Sequence, residues 1–310
     1  MVRREDPYFD SRDNVSRIYS KQWTPDTDKP ICILQIIHGM AERIERYDDF
    51  AKAMAKKGIM VVGEDHLGHG KTVGEGGTKG YFCEQDPATV VVRDSHRLKK
   101  QTQEKYPGVP YIILGHSMGS FILRNYVCRY GTGIQGAIIV GTGAKSRAAV
   151  AFGKAIVTLQ KLARDSRKES RLLNWLSFLG YRKRIKNEKS KVSWLTKDKK
   201  IVDAYENDDF CGFTFTINGF ETLFELLARL NKKENLKNMP LELPVLFASG
   251  AEDPVGNYGK GVKAVYQSFL DLGMKNVRLK LYENDRHEIL NETDKLKVYD
   301  DIYLWILSIL

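Results

Sequence analysis

The sequence predicts an α/β protein in which a mostly parallel sheet is flanked by helices and interrupted by one long helical insertion. Three observations predict it. Short apolar runs rich in β-branched residues alternate with helical patterns, the sequence form of repeated strand–helix–strand units. A serine between two glycines falls where one such run meets a helical pattern. The alternation then stops near Gly143 and resumes near Pro244, and the tract between is lysine-rich and mostly helical.

Taken in order, residues 15–23 read as an antiparallel edge strand and residues 31–37 as the first buried strand. Tyr47, Phe50, Ala51 and Met54 recur at i, i+3, i+4 and i+7, an amphipathic helix with Gly58 as its C-terminal cap. Residues 59–62 form the next strand. Asp86-Pro87 opens a helix to about Lys105, an N-cap residue followed by proline at the first helical position. Strand 111–114 leads into a helical pattern over 120–130, and strand 135–140 follows. Beyond the insertion come strand 244–249, a helix marked by Val262, Val265, Tyr266 and Phe269 that stops at Gly273, strand 277–282, and a closing helix near 294–310.

At 310 residues, with 42% hydrophobic and 28% charged residues, the chain has the composition of an ordinary globular protein. Its length suits one core carrying an insertion better than two independent domains. The formal charge of +10 is concentrated in residues 145–200, where 17 Lys or Arg face only Asp165, Glu169, Glu188 and Asp198. Such a segment meets anionic lipid, nucleic acid or an acidic substrate, or is a solvated face. Within it Leu172, Trp175, Leu176, Phe178 and Leu179 gather on one helical face, flanked by Arg171, Arg182, Lys183, Arg184 and Lys186. No nucleic acid partner is expected, because Trp175, Phe178 and Trp194 are too sparse for base stacking and are explained as core.

No stretch reaches the run of about 20 apolar residues that spans a bilayer, and the start, Met1-Val-Arg-Arg-Glu-Asp, lacks the apolar core of a signal peptide. A cytoplasmic location is expected, with peripheral membrane contact through the basic insertion as an addition to it. Cys32, Cys83, Cys128 and Cys211 are scattered, form no Cys-x-x-Cys pair and read as reduced structural residues. They and the six histidines do not supply the clustered spacing of a zinc site.

The chemistry centres on Gly115-His-Ser-Met-Gly119, directly after strand 111–114 and directly before the helical pattern. A serine on a tight strand-to-helix turn is held in a strained conformation, and flanking glycines are needed where a Cβ would clash with the neighbouring strand and helix. The turn also points the helix N-terminus at the place where negative charge develops. A serine hydroxyl needs a base, and of the six histidines only His287 lies downstream of Ser117, in a short loop after strand 277–282. His96 reads as a packed or solvated helix residue. For the acid, Asp253 follows strand 244–249 in the corresponding loop, with Glu252 and Asp285 as rivals. An oxyanion hole is expected from the N–H groups of Met118, after the nucleophile, and Met40, in the loop after an early strand, where Gly39 lets the backbone approach closely.

These residues resemble the monoacylglycerol lipase and lysophospholipase group of the α/β-hydrolase superfamily, also labelled serine aminopeptidase S33-type proteins. Four blocks carry the resemblance, in the same order and over most of the chain outside the insertion. They are His38-Gly-Met-Ala-Glu42 with Arg46-Tyr47, Asp65-His-Leu-Gly-His-Gly70, Gly115-His-Ser-Met-Gly119, and Gly250-Ala-Glu-Asp253 paired with Arg286-His-Glu-Ile-Leu290. The resemblance implies an α/β-hydrolase fold with residues 1–143 and 213–310 as core and 144–212 as a helical cap inserted after the sixth strand. It favours Asp253 over its rivals and a structural role for His66 and His69. It further implies a serine hydrolase that cleaves carboxylic esters, such as monoacylglycerols or lysophospholipids, through an acyl-enzyme on Ser117, Asp253 and His287, without metal or organic cofactor. A small-molecule esterase, a thioesterase and a non-catalytic lipid-binding protein on the same scaffold are the alternatives. No acidic clamp for a substrate's amino terminus is visible to match the peptidase label.

Overall fold

The apolar runs become the centre of one sheet. The computed structural model describes residues 3–27, 29–186 and 188–310, and among these residues there are nine strands. They are β1 (Arg3–Glu5), β2 (Tyr8–Asp10), β3 (Arg17–Thr24), β4 (Ile33–Ile37), β5 (Met60–Glu64), β6 (Tyr111–His116), β7 (Gly136–Val140), β8 (Val245–Gly250) and β9 (Val277–Tyr282). The order across the sheet is β1-β3-β5-β4-β6-β7-β8-β9, with β2 also paired to β3. From β5 to β9 every neighbouring pair is parallel, whereas β3 runs antiparallel to β5. Strands β4 to β8 are buried at every position, because helices cover both faces, and this is why they read as continuous apolar runs.

The helices are α1 (Asp48–Lys56), α2 (Pro87–Lys105), α3 (Met118–Tyr130), α4 (Arg147–Ala163), α5 (Arg171–Phe178), α6 (Lys199–Glu206), α7 (Ile217–Leu230), α8 (Lys233–Leu236), α9 (Lys260–Asp271) and α10 (Lys295–Leu307). Alternate strand residues divide between the two faces. Ile112 and Leu114 pack with Phe50 of α1 and Tyr299 and Ile302 of α10. Tyr111 and Ile113 pack with α2, α3, α7 and α9 through Val91, Ile122, Leu226 and Phe269. Helix α2 starts as its sequence dictates, since the Asp86 carboxylate accepts from the Thr89 N–H and Pro87 occupies the first turn.

Two expectations are corrected. The strand predicted over 15–23 is antiparallel but is not the edge, because β1 and β2 pair along its outer side. It also begins only at Arg17: the Asp13 carboxylate takes the N–H groups of Val15 and Ser16, and the resulting turn leaves Val15 88% exposed. The second correction concerns α5. Its buried residue is Leu173; Phe178 is half-buried and packs on Trp194 at 5.7 Å, but Leu172, Trp175 and Leu179 are 49%, 59% and 59% exposed, so the apolar face is only partly covered and Trp175 is not core.

The insertion leaves the sheet after β7, the sixth strand in chain order along the continuous path. Helix α4 packs on α7, and α7 packs on α3, which carries the insertion over the carboxyl ends of the central strands. Among the described residues no helix is long and apolar enough to cross a membrane.

Candidate active site

Strand β6 passes directly into α3 through Ser117, whose φ of 54° and ψ of −119° are rarely adopted by an L-residue. Surrounding bonds hold the turn: Ser117 N–H donates to Val140 O at 3.0 Å, and Ser120 Oγ donates to Ser117 O at 2.6 Å. Gly119 is required by close approach, since a Cβ there would lie 2.0 Å from Ile37 O and 2.6 Å from His38 O. The strand-to-helix turn therefore has the tight packing that its flanking glycines imply.

The loops after β8 and β9 bring Asp253 and His287 together. His287 Nδ1 lies 3.0 Å from Asp253 Oδ2, and the two residues are 1% and 0% exposed. The second carboxylate oxygen of Asp253 accepts the Val255 N–H at 2.8 Å, which fixes the plane of the group. A histidine that donates from Nδ1 keeps Nε2 free as a base. Neither rival contacts His287. Glu252 pairs with Lys197 Nζ at 2.8 Å. Asp285 faces Asp294 and Glu292, and burial together with those charges pushes its pKa up to about 7.

Gly39 N–H donates to Glu42 Oε1 at 2.6 Å and Ala41 N–H donates to His69 Nε2 at 3.3 Å. Between them the Met40 N–H has no protein acceptor among the described residues, as an oxyanion donor requires. A Cβ on Gly39 would sit 3.1 Å from Ser117 Cβ, so glycine lets this loop close on the serine. His38, His66 and His69 support the loop from beneath. Their ring nitrogens exchange hydrogen bonds with Gly39 O, His38 O, Leu67 O and the N–H groups of His66 and Ala41. Burial lowers the pKa of all three, that of His69 to about 3, which suits neutral structural rings. His96, as expected, is packed: it stacks on Tyr130 at 3.8 Å.

A buried charge network lies behind these loops, and no role for it is apparent from the residue types alone. Arg46 donates to Glu42 Oε2 at 2.8 Å and to both oxygens of Glu288 at 2.6 Å, and stacks over the Tyr205 ring at 4.7 Å. Glu42 also accepts from Tyr47 at 3.0 Å, and His116 Nδ1 lies 3.2 Å from the same oxygen. Burial alone would lower the pKa of His116, but its hydrogen bond and Coulomb attraction to Glu42 raise it. The network thereby ties the loop at 39–42 to the residue after His287. Its only sequence signals are the i, i+4 spacing of Glu42 and Arg46 and their presence in the matching blocks.

The insertion completes the site. His287 N–H donates to Trp194 O at 3.4 Å, Glu288 N–H donates to Leu195 O at 2.7 Å, and the Trp194 ring packs on His287 at 5.1 Å. Together they enclose a cavity of about 1180 Å³ lined by Met40, Ser117, Met118 and His287 at its floor and by Phe152, Ile156, Leu223, Phe224 and Leu227 along its wall.

This fold and arrangement define a carboxylic ester hydrolase with the α/β-hydrolase fold. More particularly, the chain belongs to the serine aminopeptidase, S33, family, which matches residues 28–294. It is 27% identical over 297 residues to a monoacylglycerol lipase of Mycolicibacterium smegmatis, covering 94% of this chain and 93% of that one. It is also 27% identical over 294 residues to the monoglyceride lipase of Rattus norvegicus, covering 93% and 86%. A highly thermostable carboxyl esterase from Bacillus coagulans, solved in complex with glycerol, superimposes with a TM-score of 0.89 at 30% identity, over 100% of this chain and 99% of that one.

Proposed function

We propose that this protein hydrolyses single-chain acyl lipids, with monoacylglycerol or lysophospholipid as substrate class, through Ser117, His287 and Asp253. The observation that carries this reading is the buried Asp253 to His287 contact at the floor of a large cavity that also contains Ser117 and has Phe152, Ile156, Leu223, Phe224 and Leu227 along one wall. The relatives named as monoacylglycerol and monoglyceride lipases, and the glycerol bound by the Bacillus coagulans esterase, support the choice of substrate. Residues 1–143 and 213–310 act as the core and 144–212 as the cap that shelters the acyl chain.

In the reaction His287 Nε2 takes the Ser117 proton as Oγ attacks the ester carbonyl, and Asp253 stabilises the imidazolium without taking the proton. The oxyanion sits between the N–H groups of Met40 and Met118. Collapse of the tetrahedral adduct breaks the bond to the alcohol, which leaves with the proton from His287. Water, deprotonated by the same histidine, attacks the acyl-enzyme, and the fatty acid departs as Ser117 regains its proton.

The cap also bears on location. Leu159, Leu162 and Leu172 are exposed outside the cavity on the most basic part of the chain, a combination suited to resting on an anionic lipid surface. All four cysteines are free thiols, in keeping with a cytoplasmic enzyme that meets such a surface peripherally.

Release of p-nitrophenol from esters of graded acyl length, with monoacylglycerol and lysophospholipid in the same series, tests the reading. Ser117→Ala is expected to lose nearly all turnover and Asp253→Asn about 10⁴-fold in kcat. Retention of wild-type rate by Ser117→Ala, or turnover confined to acetyl esters, would reject it.

A further inference from the structure

Lys145 enters the cap directly after the last core strand before the insertion, and its side chain lines the cavity that holds Ser117 and His287. Several poorly exposed cations have counter-charges, Arg46 with Glu42 and Glu288, Arg286 with Glu188 and Lys21 with Glu45. Lys99 and Arg124 are buried without a carboxylate among the described residues but do not line this cavity. Among the described residues no carboxylate pairs with Lys145. Its organised neighbour is the Tyr181 ring, with Nζ 5.9 Å from the centroid. Tyr181 lines the same cavity and packs on Trp194 at 5.0 Å, and Trp194 packs on His287 at 5.1 Å. The Tyr181 hydroxyl has no protein hydrogen-bond partner among the described residues. Lys145 and Tyr181 therefore line the cavity together, with Trp194 between the Tyr181 ring and His287.

The rest of the cavity has the same sign. Arg171, Arg182, Lys183 and Lys191 also line it; of its carboxylates, Glu42 and Glu288 are paired with Arg46, which leaves Glu206, hydrogen-bonded to Ser190 Oγ, as the one lining carboxylate without a cation among the described residues. Burial pulls the Lys145 pKa down against the opposing pull of Asp253, the condition of an ammonium group short of a counter-ion. Unmatched positive potential in a low-dielectric cleft attracts an anionic guest and strengthens its hydrogen bonds.

We propose that Lys145 and Tyr181 form a subsite for an anionic group on the substrate, a phosphate or a carboxylate, so that the preferred ester is a negatively charged single-chain lipid rather than neutral monoacylglycerol. The inference rests on Ser117, His287 and Asp253 acting as proposed above.

The test measures kcat/KM for three esters of equal acyl length, each presented as monomers: monoacylglycerol, acylglycerol phosphate, and an ester with a carboxylate at the far end of the acyl chain. Wild type is expected to prefer one of the two anionic esters. Lys145→Met should lower the anionic-to-neutral ratio about ten- to a hundredfold, and Tyr181→Phe by less. The ratio is the informative readout, because the charge of Lys145 also acts on Asp253, and that effect falls on all three substrates alike. The ester that loses its advantage identifies the source of the charge, the phosphate on the alcohol or the carboxylate on the acyl chain. Absence of an anionic preference in wild type, or a ratio unmoved by Lys145→Met, overturns the subsite. Ser117→Ala run alongside separates the two readings: if it abolishes turnover while no preference exists, only the subsite fails, whereas residual turnover removes the catalytic reading beneath it.

Discussion

Arg286, one residue before His287, grips Glu188 of the insertion with both terminal nitrogens, at 3.0 and 2.6 Å. The same guanidinium donates to Ser193 O at 2.6 Å and Thr196 O at 3.3 Å. With the bonds from His287 and Glu288 to Trp194 and Leu195, this makes residues 188–196 a strap over the histidine loop. Arg286→Met is expected to destabilise the protein by about 2–4 kcal/mol, because it leaves buried carbonyls and a carboxylate without a donor. Arg286 does not line the cavity, so kcat should fall with KM little changed. Thermal denaturation and ester kinetics on the purified variant check both; a large rise in KM with kcat intact would count against the strap.

Arg46 is the centre of a second buried arrangement, with side chains of Arg46, Glu42 and Glu288 only 10%, 4% and 3% exposed. Burial alone would raise the pKa of Glu288, but Arg46 outweighs it and holds the carboxyl below the usual range. A depressed carboxyl pKa contributes stability that is present above the unfolded value and is lost as pH falls through the folded one. Arg46→Met should thus cost about 3–5 kcal/mol near neutral pH, and the deficit should narrow in acid as both carboxylates protonate. Adding Glu288→Gln is expected to recover part of the loss. Urea denaturation of the single and double variants at several pH values measures the coupling, and additive losses would refute it.

The parts that sequence makes legible are those determined within one element and its flanks. Strand 277–282 has the same bounds in the structure, and α2 begins and ends where Asp86-Pro87 and Lys105 indicate, because the start is capped by its own residues. The turn at Ser117 is likewise local: strand, glycine, serine, glycine and helix dictate its geometry together. Strands β1 and β2 are three residues each and carry no run long enough to show a period. Glu288, the distant partner of Arg46, and Glu188, the partner of Arg286, lie 242 and 98 residues away, and spacing does not encode such pairs. The outward turn of Trp175 is hidden for another reason: an apolar helical stripe has the same sequence whether it meets core or solvent.

Glu64 at the end of β5 is fully buried and accepts from Ser95 Oγ at 2.5 Å and from Gln35 Nε2 at 3.3 Å. Burial pushes its pKa up to about 8, with the charge of Asp94 adding to the rise and the two hydrogen bonds opposing it. The folded state therefore binds this proton when the unfolded chain has released it. In that window, from the ordinary carboxylate range up to about 8, stability falls as pH rises, and the penalty is constant above it. Glu64→Gln should flatten this slope, gaining on wild type as pH rises by an amount on the order of a few kcal/mol. Melting temperatures of the two proteins between acid and mildly alkaline pH give the answer; parallel curves would mean that Glu64 is ionised in the fold.

The outer helices of the cap are where lipid contact is expected to be decided. Leu159 and Leu162 of α4 are 66% and 82% exposed and do not line the cavity, so they are separable from substrate packing. Burying a leucine side chain is worth about 1.5–3 kcal/mol, and each nearby Lys or Arg adds about 1 kcal/mol at an anionic surface. Replacing both leucines with serine should weaken binding to phosphatidylglycerol vesicles at least tenfold and lower the rate on vesicle-borne monoacylglycerol, while soluble p-nitrophenyl acetate is turned over as before. Raising salt should reproduce part of the loss in the wild type, because the basic component is screened and the apolar one is not. If vesicle binding survives the double substitution but disappears in salt, the cap contacts lipid through charge alone. If neither change affects it, the exposed face of α4 does not rest on a membrane.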